Sequence, residues 1–224
     1  MKDRRLFLFD IDGTMITTGG AGGKAMRAAF MALWENHGAF SNIEFSGRTD
    51  YAIFKQAFTQ AGLYGENFPS DLRRFRRAYY RRLPASLVAN QGVVLPGVVD
   101  LLDKLSLEKN ATLAVGTGNF RAGALHKLRH YGLNHYFQAG GFGDDTEDRA
   151  ELIARGIRAA NRFAGRHDSI VVIGDTVHDV TAAKANGAIA IAVTTGAVAE
   201  EALSSAGADL VLANLVGAYE QLVY

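Results

Sequence analysis

The sequence contains no cysteine and carries almost no net charge, and both absences narrow the classes of protein to which it can belong. Without cysteine there are no disulfides and no thiolate metal sites, which suits a reducing compartment. The formal net charge is only +1, so no strong field attracts nucleic acid or an acidic membrane surface. We therefore expect neither a nucleic-acid partner nor a membrane partner.

The N-terminal segment also lacks a long hydrophobic run. Residues 6–9 are apolar, but Asp10 interrupts the run after four residues. A signal peptide needs a longer apolar region, and a membrane-spanning helix needs about 20 residues. The expected location is therefore cytoplasmic.

Short apolar runs alternate with segments of helical spacing through most of the chain. The chain has 224 residues, enough for one sizeable core with a small accessory domain. Five strands are predicted, at residues 6–9, 112–115, 170–173, 188–193 and 210–212. The alternation predicts an α/β fold with a doubly wound, Rossmann-like parallel sheet. Ligands of such sheets bind beyond the carboxyl ends of the strands.

Residues 17–91 differ from the rest because they contain no convincing strand. Apolar residues recur there at helical spacing in three stretches, and both borders are rich in glycine or contain proline. We predict a separate helical domain at 17–91, called the helical insert below, placed after the first strand of a core domain formed by 1–16 and 92–224. The glycine-rich segment 19–23 fits neither a dinucleotide-binding turn nor a phosphate-binding loop, so it is interpreted as a flexible hinge.

The first motif with chemical potential follows the first predicted strand. Asp10 and Asp12 are two residues apart, so they would point the same way on a regular strand, and Gly13 then permits a sharp turn. One ionised aspartate of such a pair can attack phosphorus, while the other protonates the leaving oxygen and later deprotonates water. The alternative is a strand-end turn with solvated acids.

The second motif, at residues 116–119, follows the predicted strand at 112–115. The hydroxyl of Thr117 and the backbone amides near Gly118 and Asn119 could hold a phosphate group, helped by the N-terminus of the next helix. The alternative is that Thr117 or Asn119 caps that helix.

The third motif, at residues 174–179, follows the predicted strand at 170–173. Asp175 and Asp179 could bind a hard cation, and oxygen ligands without cysteine or paired histidine suit Mg²⁺. A capped helix start is again the alternative. Three strand ends that carry acids, a hydroxyl and acids in turn are more readily explained by one site than by three separate caps.

The chain resembles the haloacid dehalogenase-like superfamily over essentially its whole length. The resemblance is carried by Asp-x-Asp-Gly-Thr at residues 10–14 together with Gly-Asp-x-x-x-Asp at residues 174–179. The resemblance is to its phosphatases with a small helical cap, phosphoglycolate phosphatases among them. It implies that Asp10 is the nucleophile and a Mg²⁺ ligand, and that Asp12 is the general acid and base and offers its backbone carbonyl to the metal. It implies that Thr117 binds phosphate, that Asp175 completes the metal site and that Asp179 supports that site directly or through water.

The resemblance also bears on the reaction and the substrate. Asp12 favours phosphoester hydrolysis over dehalogenation, since the dehalogenases of the superfamily usually lack this acid. It implies that a small phosphorylated metabolite is the substrate. A phosphomutase would also keep Asp12, and a catalytically idle binding module of the same fold is a further alternative.

One basic position departs from the family pattern, which usually has a lysine before the fourth strand. Here the best match is Arg149, and arginine keeps the charge but binds phosphate in a different, bidentate geometry. We predict that Arg149 belongs to the catalytic site. The alternative is a surface ion pair with Asp145 or Glu147.

A polar loop at residues 45–50 separates two apolar stretches of the helical insert. It resembles the substrate-specificity loop of helical caps, and Arg48 is the predicted substrate contact. Thr49 or Asp50 could equally cap the following helix.

Overall fold

The structure is a computed structural model that describes residues 3–223, and its centre is one parallel sheet. The six strands lie in the order β3-β2-β1-β4-β5-β6. Their bounds are β1 Arg5–Phe9, β2 Ala111–Thr117, β3 Ala139–Phe142, β4 Ser169–Gly174, β5 Ile189–Val193 and β6 Leu210–Leu212.

Helices connect the strands and cover the sheet. Their bounds are α1 Ala21–Trp34, α2 Asp50–Gln60, α3 Phe68–Ala89, α4 Val98–Leu107, α5 Arg121–His130, α6 Arg149–Ala164, α7 Val177–Ala185, α8 Glu200–Ser205 and α9 Ala218–Val223. The predicted α/β class with a doubly wound, Rossmann-like sheet is therefore confirmed.

The register of the sheet brings the ends of its three central strands together. Phe9 at the end of β1 pairs with Val115 of β2 and with Ile173 of β4. Because all three strands are parallel, the residues that follow them emerge at the same edge of the sheet. The three motifs of the sequence therefore converge on one place.

The apolar run of β1 is continuous because both faces of the sheet are covered. Phe7 and Phe9 pack in one hydrophobic cluster, whereas Leu6 and Leu8 pack in another on the opposite face. All four are at most 1% exposed. Burial of each such side chain contributes about 1.5–3 kcal/mol to folding.

The five predicted strands all form, but β3 was missed. Its sequence is Ala-Gly-Gly-Phe. Two adjacent glycines produce neither an apolar run nor an alternating pattern, so the segment carries no strand signal of its own. Pairing with β2, from Ala114↔Ala139 to Thr117↔Phe142, holds it in the sheet.

Helices α1, α2 and α3 of the helical insert pack around an aromatic cluster. Phe30 makes an edge contact with Phe40, and Phe54 stacks on Phe75 with ring centroids 4.2 Å apart. Phe120, which precedes α5, also belongs to this cluster, so the insert is anchored on the rest of the chain. The division into two domains at residues 17 and 91 stays a prediction. Within residues 3–223, no helix has both the length and the apolar character needed to cross a membrane.

Candidate active site

Asp10 is buried directly beyond β1, next to the guanidinium group of Arg149. Arg149 Nη2 lies 3.1 Å from Asp10 Oδ1 and 2.5 Å from Asp179 Oδ1, and both carboxylates are buried. Arg149 is the first residue of α6, where Asp148 caps the helix. The surface ion pair considered as the alternative is not what the structure shows, since Arg149 instead faces the predicted nucleophile.

Asp179 uses both of its carboxylate oxygens within the protein. Oδ1 accepts from Arg149 Nε at 2.8 Å, and Oδ2 accepts from the Thr176 hydroxyl at 2.7 Å. Thr176 and Asp179 form a capping box at the start of α7. Asp179 is therefore both a helix cap and a partner that orients Arg149.

Asp175 is the third buried carboxylate of the group. It accepts a hydrogen bond of 3.0 Å from the Thr14 hydroxyl. Burial and the neighbouring charge of Asp10 raise the pKa of Asp175 to about 8. Burial likewise raises the pKa of Asp10 to about 6, against the opposing effect of Arg149. One arginine thus leaves the three carboxylates with an excess of negative charge.

This excess is what a bound divalent cation would offset. Carboxylate oxygens of Asp10, Asp175 and Asp179 all lie within 4.8 Å of one another. Hard oxygen donors of this kind suit Mg²⁺. The residues present therefore fit the predicted metal, and Asp10 and Asp175 have the freer carboxylate oxygens.

Asp12 is linked to a buried lysine that the sequence analysis did not identify. Lys127 Nζ donates to Asp12 Oδ2 at 2.6 Å and to Asn119 Oδ1 at 2.6 Å. Asn119 Nδ2 also donates to Asp12 Oδ2, at 2.7 Å. Lys127 is 4% exposed, whereas the side chain of Asp12 is 39% exposed. The lysine and the amide together hold the predicted general acid in place.

The segment after β2 approaches the site with its backbone. Thr117 is fully buried, and its hydroxyl oxygen accepts from Asn119 Nδ2 at 2.8 Å. A Cβ atom on Gly118 would lie 2.3 Å from the carbonyl oxygen of Arg48, so only glycine fits there. Asn119 therefore acts as a bridge between Thr117, Asp12 and Lys127.

The loop at residues 45–50 joins the helical insert to this segment. Thr49 is the N-cap of α2, since its hydroxyl accepts from the amide of Ala52. Asp50 donates its amide to the carbonyl of Gly118 at 2.7 Å and accepts from the amide of Phe120 at 2.8 Å. Burial raises the pKa of Asp50 to about 7. The capping alternative is thus correct for Thr49, while Asp50 fastens the insert to the core.

A pocket of about 450 Å³ opens above these groups, between the sheet edge and the helical insert. Eight of the nine predicted site residues line it, namely Asp10, Asp12, Arg48, Thr117, Gly118, Asn119, Arg149 and Asp175. Arg48 also donates to the side chain of Gln56. Asp179 lies behind Arg149.

The sequence analysis missed two pocket residues, Lys127 and Tyr79, and only Lys127 carries a signal in the sequence. Lys127 lies on the same helical face as the buried residues Gly123, Ala124 and Leu128 of α5. A single lysine on an otherwise apolar face is a recognisable signal, because an unpaired ammonium is rarely buried. Tyr79 of α3 resembles an ordinary core residue, and nothing in its spacing separates it from Phe75 or Leu83.

A parallel α/β sheet with acids at its central switch point defines a hydrolase-like site of the Asp-x-Asp type. The family described as haloacid dehalogenase-like hydrolase matches residues 7–193, so the chain belongs to that family. The predicted membership of the haloacid dehalogenase-like superfamily is therefore confirmed, as is the prediction that the protein is a hydrolase.

Individual relatives agree with this assignment. A phosphoglycolate phosphatase of Caulobacter vibrioides is 29% identical over 208 residues, covering 91% of this chain and 84% of the relative. A probable phosphatase, IndB, of Dickeya dadantii is 27% identical, covering 97% and 94%. The crystal structure of a predicted phosphoglycolate phosphatase from Haemophilus somnus has a TM-score of 0.70 at 18% identity, covering 99% of each chain. That structure supports the fold.

Proposed function

We propose that the protein is a Mg²⁺-dependent phosphatase that hydrolyses a small phosphomonoester through an aspartyl-phosphate on Asp10. The observation that carries the proposal is the convergence of Asp10, Asp12, Thr117 and Arg149 on one pocket beside Asp175. Relatives named phosphatases, including phosphoglycolate phosphatases, support the choice of reaction.

The first step transfers the phosphoryl group to the protein. A carboxylate oxygen of Asp10 attacks phosphorus, the bond from phosphorus to the ester oxygen breaks, and Asp12 donates a proton to that oxygen. Arg149 neutralises charge on the phosphoryl oxygens, and the Thr117 hydroxyl with nearby amides orients them. Bound Mg²⁺ would supply further charge neutralisation at Asp10 and Asp175.

The second step releases phosphate. Asp12, now ionised, removes a proton from water, and the resulting hydroxide attacks phosphorus and frees the Asp10 carboxylate. Lys127 and Asn119 both donate to Asp12 Oδ2, so Oδ1 is the oxygen left to give and take the proton in the two steps.

A panel of phosphomonoesters, assayed with Mg²⁺ and with a chelator, tests the proposal. Turnover is expected only with Mg²⁺. Asp12→Asn is expected to lower kcat about 10²–10⁴-fold, as for loss of general acid and base catalysis. Asp10→Asn is expected to cost more, because the covalent route disappears.

Asp145→Asn is the matched control, since Asp145 is exposed and pairs only with Arg155 among the described contacts. Turnover by Asp10→Asn at the wild-type rate would refute the covalent mechanism. Transfer of phosphate to a sugar hydroxyl instead of water would show a phosphomutase, and no turnover on any ester would favour an idle binding module.

A further inference from the structure

The first turn of α1 lies at the wall of the pocket and contains backbone amides that have no acceptor among residues 3–223. Gly22 and Gly23 line the pocket, and neither backbone amide has an acceptor among the described residues. Gly20, the N-cap, has no side chain to fill that role, and the first turn contains no acidic residue. A helix N-terminus with free amides attracts anions. The glycine-rich segment, predicted as a hinge, therefore also offers free donors at the pocket.

A second donor, the hydroxyl of Tyr79, faces the same space. Tyr79 is fully buried and lines the pocket, yet its hydroxyl has no hydrogen-bond partner within residues 3–223. The hydroxyl oxygen lies 3.8 Å from the position that a Cβ atom on Gly22 would occupy. Leaving a buried hydroxyl unpaired is unfavourable, so a polar ligand group is expected at this point.

The third donor is Lys127. Its ammonium group has three hydrogens, and the described contacts use two of them, on Asp12 and Asn119. Nζ lies 3.4 Å from the same Cβ position on Gly22. Lys127, Tyr79 and the start of α1 therefore surround one small space.

We propose that this space is an anion subsite in which Lys127, Tyr79 and the amides of Gly22 and Gly23 bind a carboxylate on the leaving group of the substrate. The proposal rests on the proposed function, because Asp12 marks the position of the leaving oxygen. Lys127 Nζ is only 2.6 Å from Asp12 Oδ2, so a carboxylate one or two carbons from the ester oxygen would reach the lysine while that oxygen stays next to Asp12. The substrate class is a phosphorylated short hydroxy acid.

The charges around the subsite explain why uncharged donors are needed. Asp12 and Asp50 both line the pocket near Lys127, so these two carboxylates already offset much of the positive charge of the lysine. Burial raises the pKa of Asp50 to about 7, which reduces its negative charge at neutral pH. The substrate carboxylate is then attracted by two amides, a phenol and the positive end of α1, without a further buried cation.

Equilibrium binding to Asp10→Asn tests the subsite separately from turnover. Calorimetry would compare 2-phosphoglycolate with 2-hydroxyethyl phosphate, which replaces the carboxylate with a neutral hydroxymethyl group. Asp10→Asn is expected to bind 2-phosphoglycolate at least about 10-fold more tightly than it binds 2-hydroxyethyl phosphate, because hydrogen bonds to a charged group are strong.

Two added substitutions locate the preference. Tyr79→Phe removes only the hydroxyl, and Gly22→Ala places a methyl group at ordinary contact distance from Lys127 and Tyr79, so neither should disturb folding. Each is expected to lower the affinity ratio of the two ligands about 10-fold. Tyr80→Phe, one residue away and outside the pocket lining, is the control and should leave the ratio unchanged.

Equal affinity for the two ligands would overturn the subsite, as would a ratio that neither Tyr79→Phe nor Gly22→Ala changes. Both outcomes are distinguishable from failure of the proposed function, because that failure is measured by the turnover of the wild-type protein and of Asp10→Asn and not by ligand binding. A retained ratio in an inactive protein would support a binding site without catalysis.

Discussion

Replacement of Arg149 by methionine is the most direct test of how the buried charges are balanced. The guanidinium lies between Asp10 and Asp179, and all three side chains are at most 8% exposed. Arg149→Met keeps much of the side-chain volume but leaves two carboxylates without their cation. Removal of one partner of a buried ion pair costs about 3–5 kcal/mol, so we expect the free energy of unfolding to fall by that amount at pH 8 in the presence of a chelator.

Arg155→Met on the same helix is the matched control. Arg155 pairs with Asp145 and Glu151, but its side chain is 38% exposed and its partners are exposed as well. Exposed ion pairs contribute about 0–1 kcal/mol. We therefore expect the control to change the free energy of unfolding by no more than about 1 kcal/mol.

Urea denaturation of both variants, followed by circular dichroism, measures the difference. The deficit of Arg149→Met should shrink as the pH is lowered, because the unpaired carboxylates can then take up protons. Added Mg²⁺ should recover part of the loss at pH 8, since a ligand that binds only the folded protein stabilises it. A change in Arg149→Met no larger than in Arg155→Met would refute the reasoning.

Three further predictions follow from individual contacts. The folded-state pKa of Asp50, about 7, is above the ordinary 3.8, so the folded protein keeps a proton that the unfolded chain has lost between about pH 4 and 7. The free energy of unfolding should therefore fall as the pH rises through that range, and Asp50→Asn should flatten the urea-midpoint profile; an unchanged slope would contradict the assignment. Gly118→Ala should lower kcat/KM, because its Cβ would meet the Arg48 carbonyl at 2.3 Å, whereas Gly65→Ala, with open space around it, should not. Phe30→Ala should lower the free energy of unfolding by about 3–5 kcal/mol in the same urea assay, and a loss below about 1 kcal/mol would show that the aromatic cluster can collapse around the gap.

The predictable part of the structure depends on local patterns and on their position relative to strands. Asp10 and Asp175 each follow a short apolar run, and a parallel sheet carries such residues to a common edge. Their convergence could therefore be predicted without knowing the order of the strands. The bounds of β1 likewise differ from the predicted run by one residue at the start, and those of β4 differ by one residue at each end.

The missed features depend on contacts between distant segments. Lys127 is 115 residues from Asp12, and no local pattern states that α5 will place its ammonium there. β3 forms because β2 offers it a partner, not because Ala-Gly-Gly-Phe favours a strand. The glycine-rich segment 19–23 is interpreted from its local sequence, although the packing of α1 against α3 also determines what the segment faces.

The central position of β1 has a consequence for the order in which the protein is assembled during synthesis. β1 is made first, but its neighbours β2 and β4 begin only at Ala111 and Ser169. At roughly 5–20 residues per second, the ribosome needs on the order of 5–20 s to reach β2 after finishing β1. During that interval an apolar strand carries Asp10 without a partner, while α1, α2 and α3 emerge and can pack on one another. The nascent chain therefore completes its nucleophile site only after β4 has left the ribosome.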